Sequence, residues 1–416
     1  MPHPLTRRRL LCCGALAAAG LFTALEAPAQ PRVDPRLQDW IHDSLHGLDA
    51  TQLWDSHCHL LGTGDSGSGC TLHPSLDQWW HPLEYGRKRA ILHGAGVAPG
   101  SPDVDRSFVQ QLVTLTHDFP PGARWLLFAF EQAHDARGRA LPEASTFHVP
   151  NAYAAQVAAQ HPERFGWVAS IHPYRPDALA ALAQAAAQGA KAVKWLPASM
   201  GMDPADRRCR PFYDALVQHG LPLIVHCGDE HAVPGLGLQA LGNPLRLRVA
   251  LEAGVTVIVA HCASLGQAPD WDRRSAPPRP AFELFARLMD EGHERLLGDL
   301  SAVAQFNRSP EVLRTLIRRE DWHGRLLHGS DHPLPGLAPM VQLGALARAG
   351  LIDAAERPGL TSLRRHNPLL FDLVLKRRLR WQGQALAASA FATARHFAVS
   401  PRDTAGLSTR HPGQRL

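Results

Sequence analysis

The sequence predicts an α/β protein, a (β/α)8 TIM barrel with a long cap insertion after its first strand and a helical C-terminal tail. Three observations point there. Short β-branched or apolar runs flanked by turn residues occur eight times. Strand ends recur at Lys194, His226, His261, Asp299 and Asp331, at intervals of 32, 35, 38 and 32 residues, which suit a strand, a helix and two loops. Residue types that ligate metals occupy those ends, where barrel active sites are built. The 416 residues suit one barrel-sized domain or two smaller ones, and 45% apolar against 19% charged residues marks a chain that buries a core.

Taken in order, the elements begin with a leader. Thr6-Arg7-Arg8-Arg9 opens a charged region, Leu10 to Leu25 is apolar but too short to span a bilayer stably, and Ala27-Pro28-Ala29 supplies small residues for cleavage. Residues 1–29 therefore read as a signal peptide. The adjacent arginines resemble a twin-arginine export signal, so the expectation is an exported, periplasmic protein without a membrane anchor after cleavage. Loss of Arg7, Arg8, Arg9 and Glu26 lowers the formal charge of +5 by two. The later basic clusters, Arg87-Lys88-Arg89 and Lys376-Arg377-Arg378-Leu379-Arg380, have no interleaved aromatics, so nucleic acid is not an expected partner.

The eight candidate strands are Gln52 to Cys58, Trp125 to Glu131, Phe165 to Ile171, Ala190 to Leu196, Pro222 to Cys227, Val255 to Cys262, Arg295 to Leu300 and Arg325 to Asp331. Amphipathic helical stretches follow the later ones: Pro176 to Gln188 stops at Gly189, another starts after Asp206, and Asn243-Pro244 and Ser309-Pro310 begin two more. The barrel is expected over 30–380. Within it, 60–124 forms a cap with helices Leu76 to His93 and Asp103 to Asp118, where Trp79 and Trp80 read as a packed helix face. Residues 381–416 form a tail, an Ala-rich helix from Gln382 to Phe397 followed by a disordered end. Five cysteines remain after cleavage, too few and too uneven for a disulfide framework, and any single bridge would join Cys70 to Cys209.

The chemistry lies at the strand ends. In Asp55-Ser56-His57-Cys58-His59, alternation along a strand turns His57 and His59 to one face and Cys58 to the other. His226 and His261 each close a buried apolar run, and Asp331 brings a carboxylate to the mouth beside the first strand. Cys58, Cys227 and Cys262 then point toward the helices as packing. Lys194 ends the fourth strand in a chain that otherwise writes positive charge almost wholly as arginine. It reads either as a salt-bridged barrel lysine or as a buried amine that carbon dioxide carboxylates to an anionic bridge between two metals.

Over Leu53 to Phe371 this ordered His-x-His, Lys, His, His, Asp set resembles the amidohydrolase superfamily, particularly its amidohydrolase-related branch; Asp299-Leu300-Ser301 and His366-Asn367-Pro368 share the likeness. The resemblance implies one or two divalent ions, usually zinc, bound by His57, His59, His226, His261 and Asp331, with Lys194 as a carboxylated bridge. It implies a metal-activated water that attacks an ester, lactone or amide-like bond of a small organic acid, with Asp331 as base and, where a single ion is bound, His261 or His226 polarising the substrate instead. Supporting candidates are Asp229, Glu230, His231, Glu131, His172 and His332, with Arg175 as receiver of a substrate carboxylate. A non-oxidative decarboxylase with one metal is the alternative, and a non-catalytic periplasmic binding protein is the second. A homo-oligomer is compatible with all three.

Overall fold

The computed structural model describes residues 35–397, apart from 99 and 274. The expected leader and the polar end of the tail lie outside the described residues. All eight strands are present: β1 (Trp54–His59), β2 (Arg124–Phe128), β3 (Phe165–Val168), β4 (Val193–Trp195), β5 (Leu223–His226), β6 (Val257–Ala260), β7 (Leu296–Asp299) and β8 (Leu326–Leu327). They form two parallel runs, β1-β2-β3 and β4-β5-β6-β7-β8. The runs join through bridges at Ala169 with Val193 and at Cys58 with His332. At these seams Lys194 N donates to the Ala169 carbonyl at 2.7 Å and Asp331 N to the His57 carbonyl at 2.8 Å, so the barrel is closed.

Strand alternation builds two cores. Leu126, Phe128, Val168, Ile224, Ile258 and Leu327 fill the barrel axis, while their neighbours, such as Leu127, Trp167, Val225 and Val259, pack against the helices. The same parity carries Lys194, His226 and Asp299 inward, because each stands two residues beyond, or level with, an axial apolar side chain. The α-helices of five or more residues are α1 (Pro35–Leu45), α2 (Pro82–Gly94), α3 (Val104–Thr116), α4 (Asn151–Gln160), α5 (Ala178–Ala187), α6 (Arg210–His219), α7 (Arg248–Glu252), α8 (Ala281–Asp290), α9 (Pro310–Arg318), α10 (Leu343–Arg348), α11 (Arg357–His366) and α12 (Pro368–Arg378). Pro at the first or second position starts several of them, where its missing N–H costs nothing.

The cap differs from expectation at both ends. α3, expected within it, buries Phe108, Leu112 and Leu115 in the outer core and packs against α12. It is the ring helix between β1 and β2, so the first insertion is 60–103. A second excursion, 129–150, completes the cap by pairing Phe147–His148 antiparallel with Thr71–Leu72. The glycine-rich loop at the base wraps around Asp105 of α3, whose carboxylate accepts from Gly64 N at 3.1 Å, Ser66 Oγ at 2.8 Å and Ser68 Oγ at 2.6 Å. A Cβ on Gly62 would lie 2.7 Å from that carboxylate, so the loop closes only with glycine there. Trp79 and Trp80 precede α2 and are exposed, Trp79 at 75%, so they do not pack as a helix face.

The tail is not the expected helix. Gln382 and Gly383, both at positive φ (51° and 80°), make a two-residue hairpin turn between Arg380–Trp381 and Gln384–Ala385. The Ala-rich stretch then seals the barrel floor: Ala390 O accepts from His328 N at 2.8 Å, Thr393 Oγ1 accepts from Trp54 N at 3.0 Å, and Phe397 joins the axial core. Helix propensity of alanine is worth less here than these tertiary contacts. The Cys70–Cys209 bridge is also absent, since all five described cysteines are free thiols. Cys70 lies against the Asp105 loop, whereas Cys209 donates to Asp203 O at 3.4 Å near the start of α6. None of the described helices is long and apolar enough to cross a membrane.

Candidate metal centre

β1 delivers His57 and His59 to the mouth, and the end of β8 brings Asp331 between them. Asp331 Oδ1 lies 3.2 Å from His59 Nε2 and 3.5 Å from His57 Nε2. These three donor atoms form one of two groups among the described residues dense enough to hold an ion. The other group, His57, His261 and Asp299, is better read as support. His57 Nδ1 and Asp299 Oδ2 are 2.8 Å apart, a hydrogen bond that leaves Nε2 free for metal, the usual carboxylate–histidine–metal arrangement. Asp299 Oδ1 also accepts from His261 N and Ser301 N, each at 3.0 Å, and Ser301 Oγ holds His261 Nδ1 at 2.7 Å.

His261 reaches the site by a route that alternation does not supply. Ile258 and Ala260 face the axis, so a continued strand would turn residue 261 outward. The chain instead leaves β6 with His261, Cys262 and Ala263 all left-handed, at φ 55°, 50° and 51°, which swings the imidazole inward and Cys262 toward the helices. Asp331 is left-handed too, at φ 61°. Backbone strain of about 1–2 kcal/mol per such residue is therefore concentrated at the ligand-bearing turns.

The four histidines are contiguous, with ring centroids 5.2 Å apart for His57–His59, 4.8 Å for His57–His261 and 5.2 Å for His226–His261. Burial, then Lys194, holds the His57 imidazole well below the ordinary histidine range; burial and then His57 do the same for His261, and burial lowers His226. Neutral imidazoles are what a cation requires. His226 Nδ1 is 3.3 Å from Glu230 Oε2, and its Nε2 is 3.4 Å from the Asp229 carbonyl.

Lys194 is 1% exposed. Its Nζ has no hydrogen-bond partner and stands 5.1 Å from the Phe128 ring centroid. It is thus no salt-bridged barrel lysine, and burial pulls its amine down to about 8.

Other expected residues are elsewhere. Arg175 is held by Glu131 at 2.5 Å and by Asp177 at 2.6 Å, which uses it up as a carboxylate receiver. His172 stacks on His134 at 4.5 Å, His332 packs toward Phe108 at 5.9 Å, and His231 is 64% exposed. Of the supporting candidates, Glu230 contacts a candidate ligand side chain, and Asp229 does so through its carbonyl, 3.4 Å from His226 Nε2.

The sequence reading missed four contributors. Asp299 was visible as a strand-end carboxylate but had no role. Gln305 donates from Nε2 to Asp331 Oδ2 at 3.3 Å, and Arg308 N donates to Gln305 O at 3.0 Å; both lie in a loop without pattern. Asp55 Oδ1 accepts from His57 N at 3.0 Å and Ser330 N at 2.8 Å, tying the two ligand strands together. Alternation put Asp55 on the same face as His57, but only folding brings Ser330 to it.

The family model for Amidohydrolase matches residues 54–361. The chain belongs to this amidohydrolase family. Its metal-dependent chemistry agrees with the His57, His59 and Asp331 group, and with an enzyme as the product of this fold. No curated protein matches the chain. Among solved structures, 5-carboxyvanillate decarboxylase from Sphingomonas paucimobilis is 13% identical, covering 85% of this chain and 98% of its own with a TM-score of 0.46. An uncharacterised TIM-barrel protein from Bordetella bronchiseptica is 17% identical over 68% of this chain and 86% of its own, TM-score 0.43. The 4-oxalomesaconate hydratase of Rhodopseudomonas palustris is 16% identical over 76% and 96%, TM-score 0.38. These are likenesses of fold.

Proposed function

We propose that this amidohydrolase-family enzyme is an exported hydrolase that opens an ester, lactone or amide-like bond of a small organic acid. The observation that carries the reading is Lys194, a buried amine without a partner at the end of β4. An amine held near 8 keeps a neutral fraction at physiological pH, and the neutral amine is the form that carbon dioxide carboxylates. The donor set fits a divalent ion such as zinc: two imidazole nitrogens and one carboxylate oxygen, with His226 and His261 beyond them. Such an ion supplies Lewis acidity, bringing the pKa of a water molecule toward neutrality.

The chain's own residues do the rest. Asp331 turns Oδ1 to the histidines and Oδ2 to Gln305, so Oδ2 is the oxygen placed to take a proton from the attacking water and return it to the leaving group. His261, held at Nδ1 by Ser301, and His226, held at Nδ1 by Glu230, keep an Nε2 lone pair suited to a cation. The leader over 1–29 would export the enzyme, and a small molecule is its partner.

One observation favours a second reading. Lys194 over the Phe128 ring is a cation–π geometry, which suits an uncarboxylated ammonium and a single metal, the arrangement for non-oxidative decarboxylation. Elemental analysis of the leader-cleaved protein and of Lys194→Ala separates the two. About two ions per chain, falling to about one in the variant, supports the bridged hydrolase; one ion in both moves the assignment to decarboxylation, and none in either overturns both.

A further inference from the structure

A small organic acid needs a group to receive its carboxylate, and Arg175 is occupied. We infer that Arg308 is the seat of the substrate's non-reacting carboxylate, an inference that rests on the reading of this mouth as a catalytic site. Arg308 lies in the loop after β7, three residues beyond Gln305. Its Nε and Nη1 are closed off from solvent and bond to nothing, and it makes no ion pair with a described residue. Its backbone N donates to Gln305 O at 3.0 Å, and Gln305 Nε2 reaches Asp331 Oδ2 at 3.3 Å, which sets Arg308 beside the Asp331 side of the mouth, where Asp331, Glu230 and Asp229 favour its cationic form.

The nearby carboxylates are committed. Asp331 faces His59 and Gln305. Glu230 Oε1 accepts from Ala232 N at 2.7 Å and Val233 N at 2.8 Å while Oε2 faces His226. Asp229 is half-exposed and leans toward His231 at 3.9 Å. A half-buried guanidinium with two covered, unpartnered nitrogens is completed by an anion that enters beside it, and its planar N–H groups match a carboxylate. One such group suits a single negative charge better than a phosphate dianion. The ligand class is therefore a carboxylic acid.

Isothermal titration with 3-phenylpropanoate and its neutral amide tests this on the leader-cleaved protein, metal-free and zinc-loaded. The acid should bind wild type in both states, and Arg308→Gln should weaken it roughly ten- to hundredfold. Arg308→Lys should recover part of the loss, and Arg175→Gln should leave the acid's affinity unchanged. The amide should bind weakly and ignore residue 308. Acid binding that survives Arg308→Gln and Arg308→Lys undiminished, an amide as tight as the acid, displacement of the acid by equimolar inorganic phosphate, or no acid binding to wild type would each overturn the assignment. Zinc content, measured on the same samples, reports separately: protein that binds the acid through Arg308 but no zinc would retire the metal-site reading and leave the anion seat standing.

Discussion

Two lysines are equally buried in this molecule, each 1% exposed, and they are held in opposite ways. Lys376 on α12 donates to Gly329 O and to Asp372 Oδ2, both at 2.6 Å. Lys194 at the end of β4 donates to nothing. The first fastens the helix layer to the β8–β1 seam that carries the metal ligands, and the second sits among those ligands as an unbalanced charge. Burying a cation costs several kcal/mol unless it is paired. Where the structure pairs the cation it is building a scaffold; where it leaves one bare, the missing partner is a ligand or a chemical change. Arg175 and Arg308 repeat the contrast among the arginines.

The contrast can be broken first at Lys376. Lys376→Met strands Asp372, whose carboxyl burial already pushes up to about 7, and should cost about 3–5 kcal/mol in urea unfolding; a loss below 1 kcal/mol would show that the seam does not depend on the pair. The next effect is a pH dependence in chelator-treated protein. Lys194 titrates near 8 when folded and near 10.4 when unfolded, so between those values the unfolded chain binds more protons and stability rises with pH. The rise should approach about 3 kcal/mol and vanish in Lys194→Met; a limb that persists in the variant belongs to another group. The same charge is present at neutral pH, so Lys194→Met should raise stability there by up to about 3 kcal/mol. Smallest is the change at the half-buried Arg308, where Arg308→Gln should raise stability by about 1 kcal/mol or less. Destabilisation of several kcal/mol by either would make that residue a structural cation like Lys376.

The fold was readable because barrels advertise themselves locally. Each of Leu223 to His226 and Val257 to Ala260 is an apolar run with a turn on either side, and repetition did the rest. The candidate ligands were readable for the same reason, as polar residues at the ends of such runs. His261 shows how far that goes: its identity was plain, but simple alternation would have faced it outward, and three consecutive left-handed residues turn it in. The tail failed for a complementary reason. Ala-rich composition from Gln382 to Phe397 favours a helix, and the contacts that override it, to Trp54 and His328, are with residues more than 60 positions away.

What the order of amino acids settles here is whatever is encoded within one strand or turn: eight βα units, the inward parity of Lys194 and His226, and the His57-Cys58-His59 pair. Partnership is settled elsewhere. Whether an arginine is spent on Glu131 or free above the mouth, whether a lysine meets Asp372 or an aromatic ring, and which carboxylate orients His57 all depend on groups that closure of the barrel brings together from distant segments. Alternation is a property of the local backbone, whereas the balance of a buried charge is set by every element packed around it.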